Sequence, residues 1–171
     1  MKNPRWFGIT ILAFATLLSL FVVGTRFTDG PFELIAGGPF PTGVVATEQE
    51  LDWNFVGDVQ TVEFQLQHPA RSRTTWIIEH EGRIYIPCGY MNTPCGRVWE
   101  KWPIEAARDG RAILRIDKDL YARHLVRVNS SPALPAIIDK LAKKYKVPAT
   151  VESVSNGSLW IFDMQGSREG I

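Results

Sequence analysis

The hydrophobic and polar positions of this chain change pattern twice along its length. From Trp6 to Gly24 the residues are uncharged and mostly large and apolar, which is long enough for a helix to cross a bilayer core of about 30 Å. A stretch rich in Gly and Pro follows, and after it short segments alternate apolar and polar positions, as strands with one wet face do. The pattern predicts an anchor at residues 1–27, a tether at 28–57 and one folded domain at 58–171.

Two runs rich in β-branched and aromatic residues lie between Thr74 and Cys88, on either side of Glu81-Gly82. A short polar turn between such runs predicts a β-hairpin. The segment Val59–Gln67 alternates cleanly and predicts an antiparallel strand before it. We expect part of the apolar tether to lie against the domain or the membrane surface, because a free linker would be polar.

The other predicted elements follow from the same two periods. Alternation predicts strands, and an apolar stripe with a 3.6-residue period predicts helices. They are an edge strand within Glu48–Gly57, a helix at Val98–Arg108, a hairpin of Ala112–Ile116 and Tyr121–Val128, a helix at Leu134–Tyr145 and a last strand at Ser158–Met164. Hairpin-connected strands of this length predict an α+β fold, an antiparallel split β-barrel of about six strands with two helices after the N-terminal transmembrane helix.

The first segment has two further interpretations, a cleaved signal peptide and a buried helix of a soluble domain. An uncleaved anchor is favoured because Val23-Gly24-Thr25 is a poor small-x-small cleavage site. Lys2 and Arg5 precede the segment and only Arg26 follows it closely. Positive flanks stay in the cytoplasm. We therefore expect a single-pass membrane protein with a cytoplasmic N-terminus and an extracytoplasmic, in bacteria periplasmic, C-terminal domain.

Charge argues against one large class of partner. The net charge is +1 at pH 7, and nucleic-acid-binding domains carry a basic excess. We expect no nucleic acid among the partners. No motif of a serine hydrolase, nucleotide-binding loop or dinucleotide fold occurs, so the catalytic residues stay unknown and enzyme activity stays open.

Cys88 and Cys95 flank a short loop. In an extracytoplasmic domain a disulfide between them is the expected state, with two unpaired thiols and a metal or redox role as the alternatives. The histidines do not have the spacing of a metal motif. We therefore predict no metal site.

Two groups of residues could hold an anionic planar ligand. Trp99 and Trp102 lie three residues apart beside Lys101, so that a helix would place both indoles on one face. Either they pack in the core, or they form an aromatic shelf beside a cation. Thr74, Thr75 and the nearby arginines Arg71 and Arg73 either contact a phosphate or form a solvated strand end.

The order of these features resembles a known superfamily. The matching segments are RSRTTWIIEHEGRIYIPCG, RVWEKWPIEAARDG, RAILRIDKDLYARHLVRV and the late Leu159-Trp160-Ile161-Phe162. Together they resemble the split β-barrel flavin-binding superfamily, which includes pyridoxamine-phosphate-oxidase-like proteins and deazaflavin-dependent nitroreductases. The similarity runs from about Asp58 to Met164 and is strongest to small membrane-anchored proteins of this type.

The resemblance implies a site, a cofactor and a partner. A flavin phosphate, from FMN or a deazaflavin, would lie near Arg73, Thr74 and Thr75, with Lys101 and Trp102 on the other side of the groove. Barrels of this group often pair, which implies a homodimer. The expected function is a membrane-anchored protein that binds a flavin-like or other small planar ligand, with weak oxidoreductase activity as one form of it. The alternative is a cofactor-less structural or interaction domain of the cell envelope.

Overall fold

The computed structural model describes residues 4–32, 35–46, 52–93 and 101–167. In these ranges the helices are α1 (Pro4–Gly24), α2 (Trp102–Arg108), α3 (Leu134–Tyr145) and α4 (Val151–Ser155), with short 3-10 helices at Thr25–Phe27 and Trp53–Gly57. The strands are β1 (Val44–Val45), β2 (Thr61–Gln67), β3 (Ala70–Trp76), β4 (Ile78–His80), β5 (Arg83–Cys88), β6 (Arg111–Ile116), β7 (Asp119–Val128) and β8 (Trp160–Gly166).

The two end strands of the sheet, β3 and β4, are adjacent in the chain and meet at Ile77. The hydrogen-bonded order of the sheet is β3-β2-β6-β7-β8-β5-β4, and every neighbouring pair on this path is antiparallel. The first and last strands of that order, β3 and β4, are separated in the chain by Ile77 alone. The sheet must therefore curl until its two ends meet, which confirms the predicted α+β split barrel. The described residues form eight strands rather than about six. The tether contributes β1, and the first strand of the predicted central hairpin is part of two strands, β3 and β4, which are separated at Ile77.

Two apolar clusters lie on the two faces of the curled sheet. The barrel interior contains Phe64, Ile84, Leu114 and Phe162, all almost fully buried. A second cluster lies outside the barrel, where α3 covers β4, β5 and β8. Because successive side chains of a strand point to opposite faces, Phe162 and its neighbour Ile161 are both fully buried, one in each cluster.

The strongest sequence patterns gave the correct elements. The helix predicted from Leu134 to Tyr145 has those bounds in the structure. The turn predicted at Glu81-Gly82 joins β4 to β5, with φ values of 52° and 73°. Two consecutive residues with positive φ give the turn whose twist suits a two-residue hairpin. The hairpin of β6 and β7 and the strand β2 are likewise confirmed.

One prediction was wrong in type, and some elements of the structure were not predicted. The edge strand expected within Glu48–Gly57 is a 3-10 helix at Trp53–Gly57 where the segment is described. The Asp52 carboxylate accepts a hydrogen bond from the Asn54 N–H at 3.0 Å, so a capped turn replaces the extended backbone. Strand β3 was predicted only in its residues 74–76, as part of the central hairpin. Helix α4 was not predicted, and the tether contains the short strand β1, parallel to β7. The predicted helix at Val98–Arg108 is described only from Lys101 onward, where α2 begins at Trp102.

The tether covers the outer face of the barrel, as its apolar composition indicated. The Ser72 hydroxyl, fully buried in β3, donates to the Gly38 carbonyl at 2.5 Å. The Gly37 N–H donates to the Ser72 carbonyl at 3.1 Å, and the Phe40 N–H donates to the buried Gln65 side chain at 2.5 Å. These bonds satisfy polar groups that the covering segment removes from water.

The C-terminal end of α3 binds the backbone at Ile77, where β3 passes into β4. The Ile77 N–H donates to the Tyr145 hydroxyl at 2.9 Å, and the Ile77 carbonyl accepts from the Lys144 ammonium at 3.0 Å. Tyr145 also donates to the Gln60 carbonyl at 2.7 Å. Burial raises the pKa of the Tyr145 hydroxyl and lowers the pKa of the Lys144 ammonium. Side chains of α3 thus replace the ladder bonds that the backbone loses where it passes from β3 to β4.

We expect Tyr145→Phe to lower the free energy of unfolding by about 1–3 kcal/mol, because the Ile77 N–H loses its partner in a partly buried site. The phenyl ring preserves the stack on Trp76, where the rings lie 4.4 Å apart at 8°. Urea unfolding of the full chain in detergent, followed by tryptophan fluorescence, measures the change. Tyr90→Phe is the matched control, since its hydroxyl belongs to an exposed side chain. Equal stability of the two variants would show that the backbone at Ile77 does not depend on this bond.

Candidate functional site

The three predicted phosphate contacts lie on β3, at one end of the strand order. Arg73 is the cross-strand neighbour of Phe64, and Thr75 is the neighbour of Val62. Both partners point into the barrel, so Arg73 and Thr75 lie on the inner side of the edge strand and Thr74 lies on the outer side. The structure therefore brings Arg73 and Thr75 together on one face and separates Thr74 from them.

Trp102 and Lys101, the other predicted contacts, have different environments. Trp102 is 3% exposed, and its indole lies 4.9 Å from the Phe64 ring and 5.2 Å from the Phe162 ring. It packs in the barrel core, the alternative that the sequence left open, and offers no open ring face. Lys101 is exposed just before α2. Trp99 lies outside the described residues.

The cysteine pair is described on one side only. Cys88 ends β5, is 6% exposed, and its sulfur lies 3.7 Å from the Met91 sulfur. Cys95 lies outside the described residues, and the Cys88–Cys95 disulfide stays a prediction.

Sequence patterns did not reveal an apolar cleft that the structure contains. A cleft of about 280 Å³ lies where the end of β3, the segment after β5 and the α3–α4 connection meet. Its apolar wall includes Leu141, Val147 and Leu159, and its rim carries Trp76 and Tyr90. Asn92, Thr93, Ser153 and Ser158 add a few polar groups. A mostly apolar wall with few polar groups is typical of a small-molecule site.

Two exposed aromatic residues form the rim of this cleft. Trp76 is 40% exposed, and one face of its indole is stacked on Tyr145. Tyr90 is 79% exposed and has φ of 60°, a left-handed conformation that is unusual for a bulky residue. Such backbone outliers concentrate at binding and catalytic sites. The only sequence signal for them was their place at the ends of the central hairpin and its following loop.

The loop that carries Tyr90 is fastened to the neighbouring chain. The Met91 N–H donates to the Ser158 carbonyl at 3.1 Å, and the Asn92 amide donates to the Asn156 carbonyl at 2.8 Å. The Thr93 hydroxyl donates to the Tyr90 carbonyl at 2.8 Å. These bonds fix the loop against the segment before β8, so the tyrosine is presented at the cleft by a fixed backbone.

A wider concavity of about 600 Å³ lies between the end of α2 and the strands β7 and β8, but it is open and mainly polar. Its Asp109 carboxylate accepts from the Arg111 guanidinium at 2.7 Å, which holds the pKa of Asp109 well below its usual range. Arg127, whose pKa is lowered by burial, lies 3.4 Å from the centre of the Trp160 ring. These contacts already engage Asp109, Arg111 and Arg127, and the concavity is less apolar than the cleft of Trp76 and Tyr90.

Two solved structures are similar in fold to this chain. The conserved hypothetical protein Rv2991 from Mycobacterium tuberculosis is 15% identical, with a TM-score of 0.48 over 74% of this chain and 84% of that one. A pyridoxamine 5'-phosphate oxidase candidate from Listeria innocua is 12% identical, with a TM-score of 0.45 over 66% of this chain and 88% of that one. The sequence matches no family model and no curated protein.

Proposed function

We propose that this chain is a single-pass membrane protein whose split barrel binds a flat, anionic small molecule of the flavin class. The observation that carries the proposal is the cleft rimmed by Trp76 and Tyr90, which begins on the same strand as Arg73 and Thr75. Trp76 of the cleft and the anion-binding side chain of Arg73 thus belong to one strand, and their odd spacing places them on opposite sides of it. The resemblance of the sequence to flavin-binding split barrels supports the same ligand class.

The cleft suits the ring system of such a ligand. Its volume of about 280 Å³ lies near the lower end of the range of small-molecule sites, roughly 300–1,000 Å³. It therefore accepts a flat ring system and leaves a polar tail outside. Trp76 and Tyr90 supply exposed aromatic surface for offset or edge-to-face contact with that ring.

The tail would extend along β3 toward Arg73. Arg73 lies three positions before Trp76, and a strand rises about 3.3 Å per residue, so the two positions lie about 10 Å apart along the strand. Because this spacing is odd, the tail would pass around the edge of β3 to reach the inner side, where Arg73 lies. A guanidinium binds phosphate through two parallel hydrogen bonds, and the Thr75 hydroxyl lies on the same inner side of the strand. Arg73 and Thr75 therefore bind the phosphate, while Lys101 adds positive charge from the start of α2. A bound flavin would supply hydride transfer, and the side chains named here bind and orient it.

The first helix supports the membrane assignment. The most apolar 18-residue window within Trp6–Phe27 has a mean hydropathy of 2.3, and none of that window is buried in the structure. Exposed apolar area of this extent needs an apolar environment. The charges of Lys2 and Arg5 favour a cytoplasmic N-terminus, which places the barrel and its predicted Cys88–Cys95 disulfide outside the cytoplasm. The homodimer implied by the resemblance stays a prediction.

Ligand titration of the full chain in detergent tests the proposal. We expect FMN to bind with a shift of its visible absorption bands, and riboflavin, which lacks the phosphate, to bind more weakly. Arg73→Ala should weaken FMN binding by about 10-fold or more, since a hydrogen bond to a charged group is worth about 1.5–3 kcal/mol, and should leave riboflavin binding unchanged. Arg108→Ala, which removes an exposed cation of α2, is the matched control.

The outcomes separate the two functions that the sequence left open. Equal affinities for FMN and riboflavin in the unmodified protein would refute the role of Arg73. Absence of binding by FMN, riboflavin and a deazaflavin alike would refute the proposal and favour a cofactor-less domain of the cell envelope.

A further inference from the structure

The chain stays close to α1 after that helix ends. The 3-10 helix Thr25–Phe27 continues directly from Gly24, and Phe27 is 86% exposed. The Thr25 hydroxyl, buried at this junction, donates to the Val22 carbonyl at 2.9 Å and lies 3.3 Å from the Ala36 carbonyl. The segment that leaves the helix thus folds back on it within a few residues.

A contact between Phe32 and Phe21 shows how far along α1 the returning loop reaches. The Phe32 ring meets the Phe21 ring edge to face, with centroids 5.7 Å apart. Phe21 precedes the last residue of α1 by three positions, which is about 5 Å along the helix axis. Phe32 therefore lies level with the last turn of α1, although it belongs to the tether, and it is 53% exposed.

Two described residues of the loop, Phe32 and Ile35, pair their backbone groups with each other. The Phe32 N–H donates to the Ile35 carbonyl at 3.1 Å, and the Ile35 N–H donates to the Phe32 carbonyl at 2.8 Å. A Cβ added at Gly38 would lie 2.6 Å from the Arg26 carbonyl oxygen, so the returning backbone packs directly on the helix end. Paired backbone groups remove the main penalty for entering an apolar phase.

The same segment is tied to the barrel by charge. The Arg115 guanidinium, on β6, donates to Asp29 at 2.6 Å and to Glu63 on β2 at 2.6 Å, and lies 4.1 Å from the centre of the Phe40 ring. The Thr42 hydroxyl also donates to Asp29, and this bond is the main reason that the pKa of Asp29 is lowered. The barrel, the tether and the end of α1 are thus joined at one place.

We propose that Phe27 and Phe32 lie in the lipid headgroup and acyl boundary and hold the barrel against the bilayer surface. The inference rests on the proposed membrane span of α1. Because Phe32 is level with Phe21, a membrane that contains Phe21 also reaches Phe32. Aromatic side chains favour this boundary, and the exposed Arg26 beside Phe27 can reach lipid phosphates. The occupant of this surface is lipid, since the two rings continue the fully exposed apolar face of α1.

Photo-crosslinking in phosphatidylcholine vesicles tests this with the full chain. p-Benzoylphenylalanine is introduced by the substitutions Phe21→p-benzoylphenylalanine, Phe32→p-benzoylphenylalanine and, as the matched control, Phe55→p-benzoylphenylalanine. Phe55 is also an exposed phenylalanine but lies in the 3-10 helix beside Trp53. We expect lipid adducts at positions 21 and 32 with comparable yield, and several-fold less adduct at position 55.

The outcomes distinguish this inference from the proposed anchor. Adducts at position 21 without adducts at position 32 would overturn the inference and leave the anchor in place. Absence of adducts at both positions would overturn the anchor and the inference together. A cross-link between two chains at position 32, in place of lipid, would assign the surface to a second copy and overturn the inference. Circular dichroism of each variant verifies the fold before the comparison.

Discussion

Trp102→Ala is expected to lower the free energy of unfolding by about 3–5 kcal/mol, the usual cost of removing a buried tryptophan. The indole is 3% exposed and contacts Phe64 and Phe162 at the centre of the barrel, so alanine leaves a cavity that three strands and α2 border. Urea unfolding of the full chain in detergent, followed by far-ultraviolet circular dichroism, measures the loss.

Lys101→Ala is the neighbouring control. Its side chain is exposed, and surface substitutions usually change stability by less than about 0.5 kcal/mol. A small effect of Trp102→Ala on unfolding, together with a large loss of FMN binding, would return Trp102 to the aromatic shelf that the sequence allowed and would contradict its place in the core.

Arg115→Met should have the second largest effect, about 2 kcal/mol of unfolding free energy. Removing one partner of a buried ion pair costs about 3–5 kcal/mol, and the value is lower here because the side chains of Asp29 and Glu63 are 34% and 33% exposed. The substitution leaves two carboxylates facing each other and frees the tether from β6. Limited proteolysis within residues 28–46 should accelerate in the variant.

Arg108→Met provides the comparison, since it removes an exposed cation of α2. The same proteolysis rate for Arg115→Met and the unmodified chain would show that the tether is held by its other bonds to the barrel, without the Arg115 ion pairs.

Local periodicity predicted those elements whose pattern is set by one buried face. The helix Leu134–Tyr145 was clear because Ile138 and Leu141 face the sheet while Lys140 and Lys143 are exposed. The hairpin at Glu81-Gly82 was clear because its turn residues adopt positive φ. In both cases the local signal and the tertiary environment agree.

Most of strand β3 was missed because its burial has an uncommon cause, and only its residues 74–76 lie within the predicted hairpin. It carries Arg71, Arg73 and Thr74, a composition typical of a loop, and its most buried residue is Ser72. Ser72 is buried because the tether, a distant part of the chain, packs over it, and the local sequence of β3 does not indicate this contact. In the segment before β2, a strand was predicted where none forms, because its apolar residues alternate. The segment is a 3-10 helix, on which Trp53 and Val56, three residues apart, are buried.

The candidate site could be predicted only in part, because it is assembled from distant segments. Arg73 and Thr75 follow from the resemblance, and the structure places them on one side of β3. The cleft is formed where the end of β3, the loop of Tyr90 and the α3–α4 connection come together. A local sequence pattern does not show that these distant segments are close in the fold. Trp102 was ambiguous for a physical reason, since an indole suits a core and a ligand shelf equally well.

The most direct test of the proposed site is photolabelling with an azido derivative of FMN, followed by mass spectrometry of the labelled peptides. The full chain in detergent is irradiated with and without excess FMN. We expect label on the peptides that contain Trp76 and Tyr90, and its loss in the presence of excess FMN. Protected label on the polar concavity that contains Arg111 and Arg127, or label that FMN does not displace, would contradict a flavin site in the cleft.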